Sequence, residues 1–82
     1  MNVDAIRSFI QTEILNDPGF AIAADENLLL SETLNSLSVA LLVAHLQDKC
    51  EIQIPPGDVT LENFGTLQSI ESYINRLRAQ SA

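Results

Sequence analysis

Asn35-Ser36-Leu37-Ser38-Val39-Ala40-Leu41-Leu42-Val43-Ala44-His45-Leu46-Gln47-Asp48-Lys49-Cys50 opens on a favourable helix-capping residue and contains neither Gly nor Pro. At about 100° per residue, Val39, Leu42, Val43, Leu46 and Cys50 share an arc about 100° wide, while Leu37, Leu41, Ala44 and Asp48 lie on the opposite side. The spacing predicts a helix over 36–50 that buries the first set. Upstream, Val3, Ile6, Phe9, Ile10 and Ile14 recur three and four apart, which predicts a first helix capped by Asn2 and broken near Asn16 by Asn16-Asp17-Pro18-Gly19. Residues 20–34 show no clean period and read as a long connection that packs Phe20, Ile22, Leu28 and Leu30 onto the core.

Downstream, Glu51-Ile52-Gln53-Ile54 alternates like a strand. No second alternating segment could pair with it, so it reads as extended loop. Pro55-Pro56-Gly57 reads as a turn, and Thr60–Phe64 as a single short helix before Gly65. Thr66 caps a last helix whose face is Leu67, Ile70, Tyr73, Ile74 and Leu77. The expected fold is all-α: three long helices, one short helix, and a long loop between helices one and two.

With 82 residues, residues 1–82 are expected to form one domain, because chains divide into several only near 250 residues. A hydrophobic fraction of 46% against 18% charged is the reverse of a disordered composition. Eleven acids against four bases give a net charge of −7, which repels phosphate backbones and argues against nucleic acid as a partner. Cys50 alone cannot form an internal disulfide, and no basic stretch followed by an apolar run opens the chain, so the expectation is a cytoplasmic monomer without a membrane segment.

Catalytic and metal chemistry find little here. Ser36 at a helix start would need a base to act as a nucleophile. The only histidine, His45, lies nine positions further along, about 13.5 Å of rise away and on the opposite face. One Cys and one His lack zinc-ligand spacing, and there is no glycine-rich phosphate loop. The chain is expected to be neither an enzyme nor a metal site. Cys50 closes the buried arc as a small apolar group, His45 flanks the outer face, and Tyr73 packs its ring with a wet hydroxyl.

The run Thr33-Leu34-Asn35-Ser36-Leu37-Ser38-Val39, the exit Glu51-Ile52-Gln53-Ile54-Pro55, the junction Phe64-Gly65-Thr66 and the end Ile70-Glu71-Ser72-Tyr73-Ile74 together resemble the acyl carrier and peptidyl carrier protein family over nearly the whole chain. The resemblance implies an acyl-carrier-like four-helix bundle. It also implies that Ser36 is esterified by 4'-phosphopantetheine, whose thiol carries acyl or aminoacyl groups as thioesters. The implied partners are a phosphopantetheinyl transferase, an acyl- or aminoacyl-loading enzyme, and downstream transferase or synthase enzymes. Asn35 stands where the family's motif has an acid; it still caps a helix but brings no charge. Independently of the resemblance, a helix's first turn offers unpaired N–H groups and the positive end of its dipole, which suit a permanent anion at Ser36 better than at Ser38.

The outer side of the second helix, Leu37, Ser38, Leu41, Ala44, His45 and Asp48, holds one acid and is largely apolar. Together with Asn35 it is the expected partner face, and its apolar centre resembles carriers of polyketide or nonribosomal peptide pathways more than those of fatty-acid synthesis. The alternatives are an aminoacyl, D-alanyl-type or fatty-acid carrier. An unmodified helical adaptor protein represents a different class.

Overall fold

The computed structural model describes residues 2–81 as four helices, with no strand among the described residues. Helix α1, Val3–Phe9, starts at Asn2, whose side-chain oxygen accepts the Ala5 N–H at 2.8 Å. It then widens into a π turn over Ile10–Ile14, with the Leu15 N–H donating to the Ile10 carbonyl at 2.8 Å. A regular helix was the expectation for this stretch. The Thr12 hydroxyl donates to the Ser8 carbonyl at 2.7 Å, a back-bond of the kind that bends helices locally. The break falls where expected, at Asn16, in the left-handed region with φ 52°.

Helix α2 spans Ser36–Cys50, α3 Leu61–Phe64 and α4 Leu67–Ser81, with a 3-10 turn at Pro56–Asp58. Val39, Leu42 and Leu46 are buried and Val43 and Cys50 are half-buried, so the predicted α2 face is the core face. From α4, Leu67, Ile70, Tyr73 and Ile74 join them, with Ile6 and Ile10 from α1 and Phe64 from α3. Helices α1 and α3 both pack on α4, and α2 meets the π turn. Thr60 and Thr66 cap α3 and α4 by accepting the N–H groups of Asn63 (3.2 Å) and Ser69 (3.0 Å). Ile52 and Ile54 are buried in an extended exit, where the Ile54 N–H donates to the Gln47 side chain at 2.8 Å.

The long connection departs from expectation in part. Ile22 and Leu28 are buried, but Phe20 is 39% and Leu30 72% exposed, and Leu34 takes the inward place instead. Leu28, Leu29 and Leu30 are consecutive in a turn and cannot all point inward. The Leu28 N–H donates to the Gly65 carbonyl at 2.6 Å, which commits Leu28 to the core and turns Leu30 out. Tyr73 is a second correction: its hydroxyl is not left wet but donates to an Asp58 carboxylate oxygen at 2.7 Å. Burial and this hydrogen bond push its pKa up to about 12.

Candidate functional site

Helix α2 begins at Ser36 because Asn35, in extended backbone, turns its side-chain oxygen onto the Ser38 N–H at 2.9 Å. Its main-chain carbonyl accepts the Val39 N–H at 2.9 Å. No acid stands in the first turn, so the helix itself brings no side-chain charge to offset the positive end of its dipole. Ser36 is exposed on this end, while Ser38 is half-buried two residues into the helix.

The loop before Ser36 is held firmly. The Leu34 N–H donates to the Leu28 carbonyl at 3.0 Å, the Leu30 N–H to the Asn27 side chain at 2.9 Å, and the Ser31 N–H to the Asn27 carbonyl at 3.0 Å. Glu32 takes a left-handed conformation with φ 61°, and the hydroxyls of Ser31 and Thr33 lie 2.9 Å apart. The Leu28–Gly65 bond ties this loop to the α3–α4 junction. A Cβ on Gly65 would collide with the Leu61 carbonyl oxygen one turn back in α3 and would crowd the Asn27 side-chain nitrogen of the loop at 3.1 Å, so the end of α3 requires glycine here.

Beside Ser36 a cleft of about 430 Å³ opens between the loop, α2 and α3. Leu29, Leu34, Val39, Val59 and Leu61 form its apolar walls, and Asn35, Ser36 and Thr60 its polar lip. A hydroxyl at the lip of a cleft of mixed polar and apolar lining, on the positive end of a helix, suits a flexible, partly apolar arm ending in a phosphodiester. Val59, Thr60 and Leu61 did not stand out as site residues in the sequence, because nothing short of the fold brings residues 23 positions and more from Ser36 beside it.

The expected partner face divides. Asn35, Leu37, Leu41, Ala44 and Asp48 are exposed, with Leu37 at 71% and Leu41 at 49%, and Ser38 is half-buried. His45 turns instead toward α1: its ring stacks on Phe9 with centroids 3.7 Å apart and planes 12° from parallel. Burial, and secondarily Lys49, lower its pKa below the ordinary histidine value, against the opposing pull of Asp48 and Glu13. With its ring laid against Phe9, His45 is not placed to take a proton from Ser36. No group of three metal-ligating side chains forms among the described residues, and no helix there is long and apolar enough to cross a membrane.

Residues 4–74 match the protein-family model described as a phosphopantetheine attachment site. The chain belongs to that family. It therefore contains a covalent 4'-phosphopantetheine attachment site and is a phosphopantetheine-bearing carrier protein with the acyl-carrier-like helical fold. A comparison with curated proteins finds no match. Among solved structures, a chain of one described as the crystal structure of an FAD-dependent dehydrogenase is 31% identical, with a TM-score of 0.74. The alignment covers 84% of this chain and 97% of that one. Domains of this kind interact with phosphopantetheinyl transferases and biosynthetic enzymes and are typically non-catalytic.

Proposed function

We propose that Ser36 is the serine esterified by 4'-phosphopantetheine, and that the chain shuttles acyl or aminoacyl thioesters for a specialised pathway of the polyketide or nonribosomal peptide kind. The observation that carries the reading is the exposed hydroxyl of Ser36 as the first residue of α2, at the lip of the cleft between the loop, α2 and α3. Ser36 Oγ forms a bond to the phosphorus nearest the pantetheine arm of coenzyme A. The pyrophosphate P–O bond breaks, 3',5'-adenosine bisphosphate leaves, and the hydroxyl proton passes to the transferase. The arm's terminal thiol supplies the thioester chemistry. Asn35 fixes the helix start that presents Ser36, and the loop bonded to Gly65 holds the approach open. Tethering then replaces diffusion with an effective concentration set by the arm.

The chain itself is not a catalyst in this reading, since its one histidine is laid against Phe9. Leu37 and Leu41 provide the apolar centre of the partner face. A monomer in a reducing cytoplasm fits a chain with one half-buried cysteine.

One observation favours a flavin enzyme among the partners. The similar chain is about 70 residues long, because the shared stretch is 84% of 82 residues and 97% of that chain. A dinucleotide-binding fold needs two βαβαβ halves and does not fit in that length. A small carrier presenting cargo to such a dehydrogenase accounts for both facts.

The test is intact mass after incubation with coenzyme A and a broad-specificity phosphopantetheinyl transferase. The expected result is one added phosphopantetheinyl group on the wild type and on Ser38→Ala, and none on Ser36→Ala. An unmodified wild type would favour the adaptor reading.

A further inference from the structure

Away from Ser36, a groove of about 540 Å³ opens between α1 and α2, lined by Ala5, Ser8, Phe9, Thr12, Glu13 and His45. The rings of Phe9 and His45, both half-buried, are stacked 3.7 Å apart and nearly parallel, which gives the groove a flat π surface. Thr12 and Glu13, both exposed, are carried on the π turn, a departure from α geometry found frequently at functional sites. The Thr12 hydroxyl spends its proton on the Ser8 carbonyl at 2.7 Å, so its oxygen faces the groove as an acceptor. No Lys or Arg lines the groove. Arg7 is held elsewhere, its Nε donating to the Ile22 carbonyl at 2.9 Å and a terminal nitrogen paired with Asp4 at 2.8 Å. The charges that act on His45 are Glu13 from the π turn and Asp48 and Lys49 from α2, two acids against one base. Burial holds the imidazole below its ordinary value, so it adds no positive charge at neutral pH.

We propose that this groove docks a segment of a partner protein that inserts one arginine, its guanidinium laid against the Phe9–His45 pair and donating to Glu13 and the Thr12 hydroxyl. Arginine fits better than lysine, because a planar guanidinium stacks on a flat ring pair while its fork of N–H groups reaches a carboxylate at the edge. A protein segment fits better than a free cation. From Ala5 to Thr12 the α1 side of the groove runs about 10 Å, the reach of about three extended residues, and its small Ala5 and Ser8 leave room for the residues on either side of the arginine. The net charge of −7 steers such a segment in and turns away a nucleic acid or an anionic lipid surface. His45 lies nine positions beyond Ser36, about 13.5 Å of rise along α2, so this contact leaves the Ser36 hydroxyl uncovered. The proposal stands independently of which residue carries the cofactor.

The experiment follows the isotope-labelled whole chain by NMR as it is titrated with the capped peptide Ala-Ala-Arg-Ala-Ala, with its lysine and citrulline counterparts, and with guanidinium chloride. Amide shifts should centre on Phe9, Thr12, Glu13 and His45. The arginine peptide should bind about threefold or more tighter than the lysine peptide, and about tenfold or more tighter than the uncharged citrulline peptide or guanidinium. Glu13→Gln, a change at an exposed position, should melt like the wild type and weaken the arginine peptide about threefold or more, and Phe9→Leu should weaken it as well. Ser36→Ala should bind like the wild type. Equal affinity for the arginine and citrulline peptides, or unchanged affinity in Glu13→Gln, would overturn the proposal. Shifts centred on Asp25, Glu26 and Glu32 would overturn it as a general response of acidic surface, and guanidinium binding as tightly as the peptide would reduce the groove to a small-cation site. The same shifts on concentrating the chain alone would show a second copy as the occupant and equally overturn it.

Discussion

Tyr73 shows how a single contact joins two distant parts of the chain. Its hydroxyl donates to Asp58 across fifteen positions, tying α4 to the 3-10 turn ahead of α3, while its ring packs against Phe64 with centroids 5.5 Å apart. Because the folded-state pKa is raised to about 12, the stabilisation is fully present below the ordinary tyrosine value near 10 and is lost as pH rises from there through 12. Tyr73→Phe should cost about 0.5–3 kcal/mol at neutral pH, since the acceptor is a carboxylate, and should flatten the decline in stability between pH 10 and 12. Urea melts across that range check both expectations; equal slopes in the two proteins would contradict the first-order role of this hydroxyl. The helix starts were legible at three residues, since Asn2, Asn35 and Thr66 cap as their side chains suggest, whereas Thr60, read as the first residue of the short helix, caps α3 from just outside it. The Tyr73–Asp58 pair was not, because the hydrogen bond depends on how α4 sits against a turn that carries no periodic signal.

Among the elements, α2 separates its two jobs by side. Leu42 is fully buried, and one residue earlier Leu41 stands 49% exposed. Leu42→Ala should therefore cost about 2–5 kcal/mol in stability. Leu41→Glu should leave the melting temperature nearly unchanged and weaken loading by partner enzymes, a contrast read by calorimetry alongside a loading assay. The loop before α2 depends on a single point of close approach. Gly65→Ala sets a Cβ against the Leu61 carbonyl oxygen, so backbone must shift, at a cost of about 1–3 kcal/mol. Amide exchange should rise at Leu28, whose N–H is bonded to the Gly65 carbonyl; unaltered protection there would show that the tie is not important to the loop. Periodicity revealed α2 and α4 because each buries one stripe. It could not reveal which of Leu28, Leu29 and Leu30 turns inward, since a turn has no period and the decision comes from Gly65, 37 positions away.

At the scale of the whole molecule, the chain keeps its bases on α1, the end of α2 and α4 and leaves acids and leucines around Ser36. The order of helix starts, loop and junctions made the family and the fold legible from sequence, and the hydroxyl at the start of α2 stands exposed as its position suggested. The cleft beside it, with Val59, Thr60 and Leu61, exists only once α3 is laid against the loop. The measurement that tests the central claim most directly is site localisation on the wild type. After incubation with coenzyme A and transferase, tryptic cleavage at Arg7 and Lys49 releases Ser8–Lys49, which holds both Ser36 and Ser38. Fragmentation should find the phosphopantetheinyl mass on Ser36; the same mass on Ser38 or on any other residue would contradict the account.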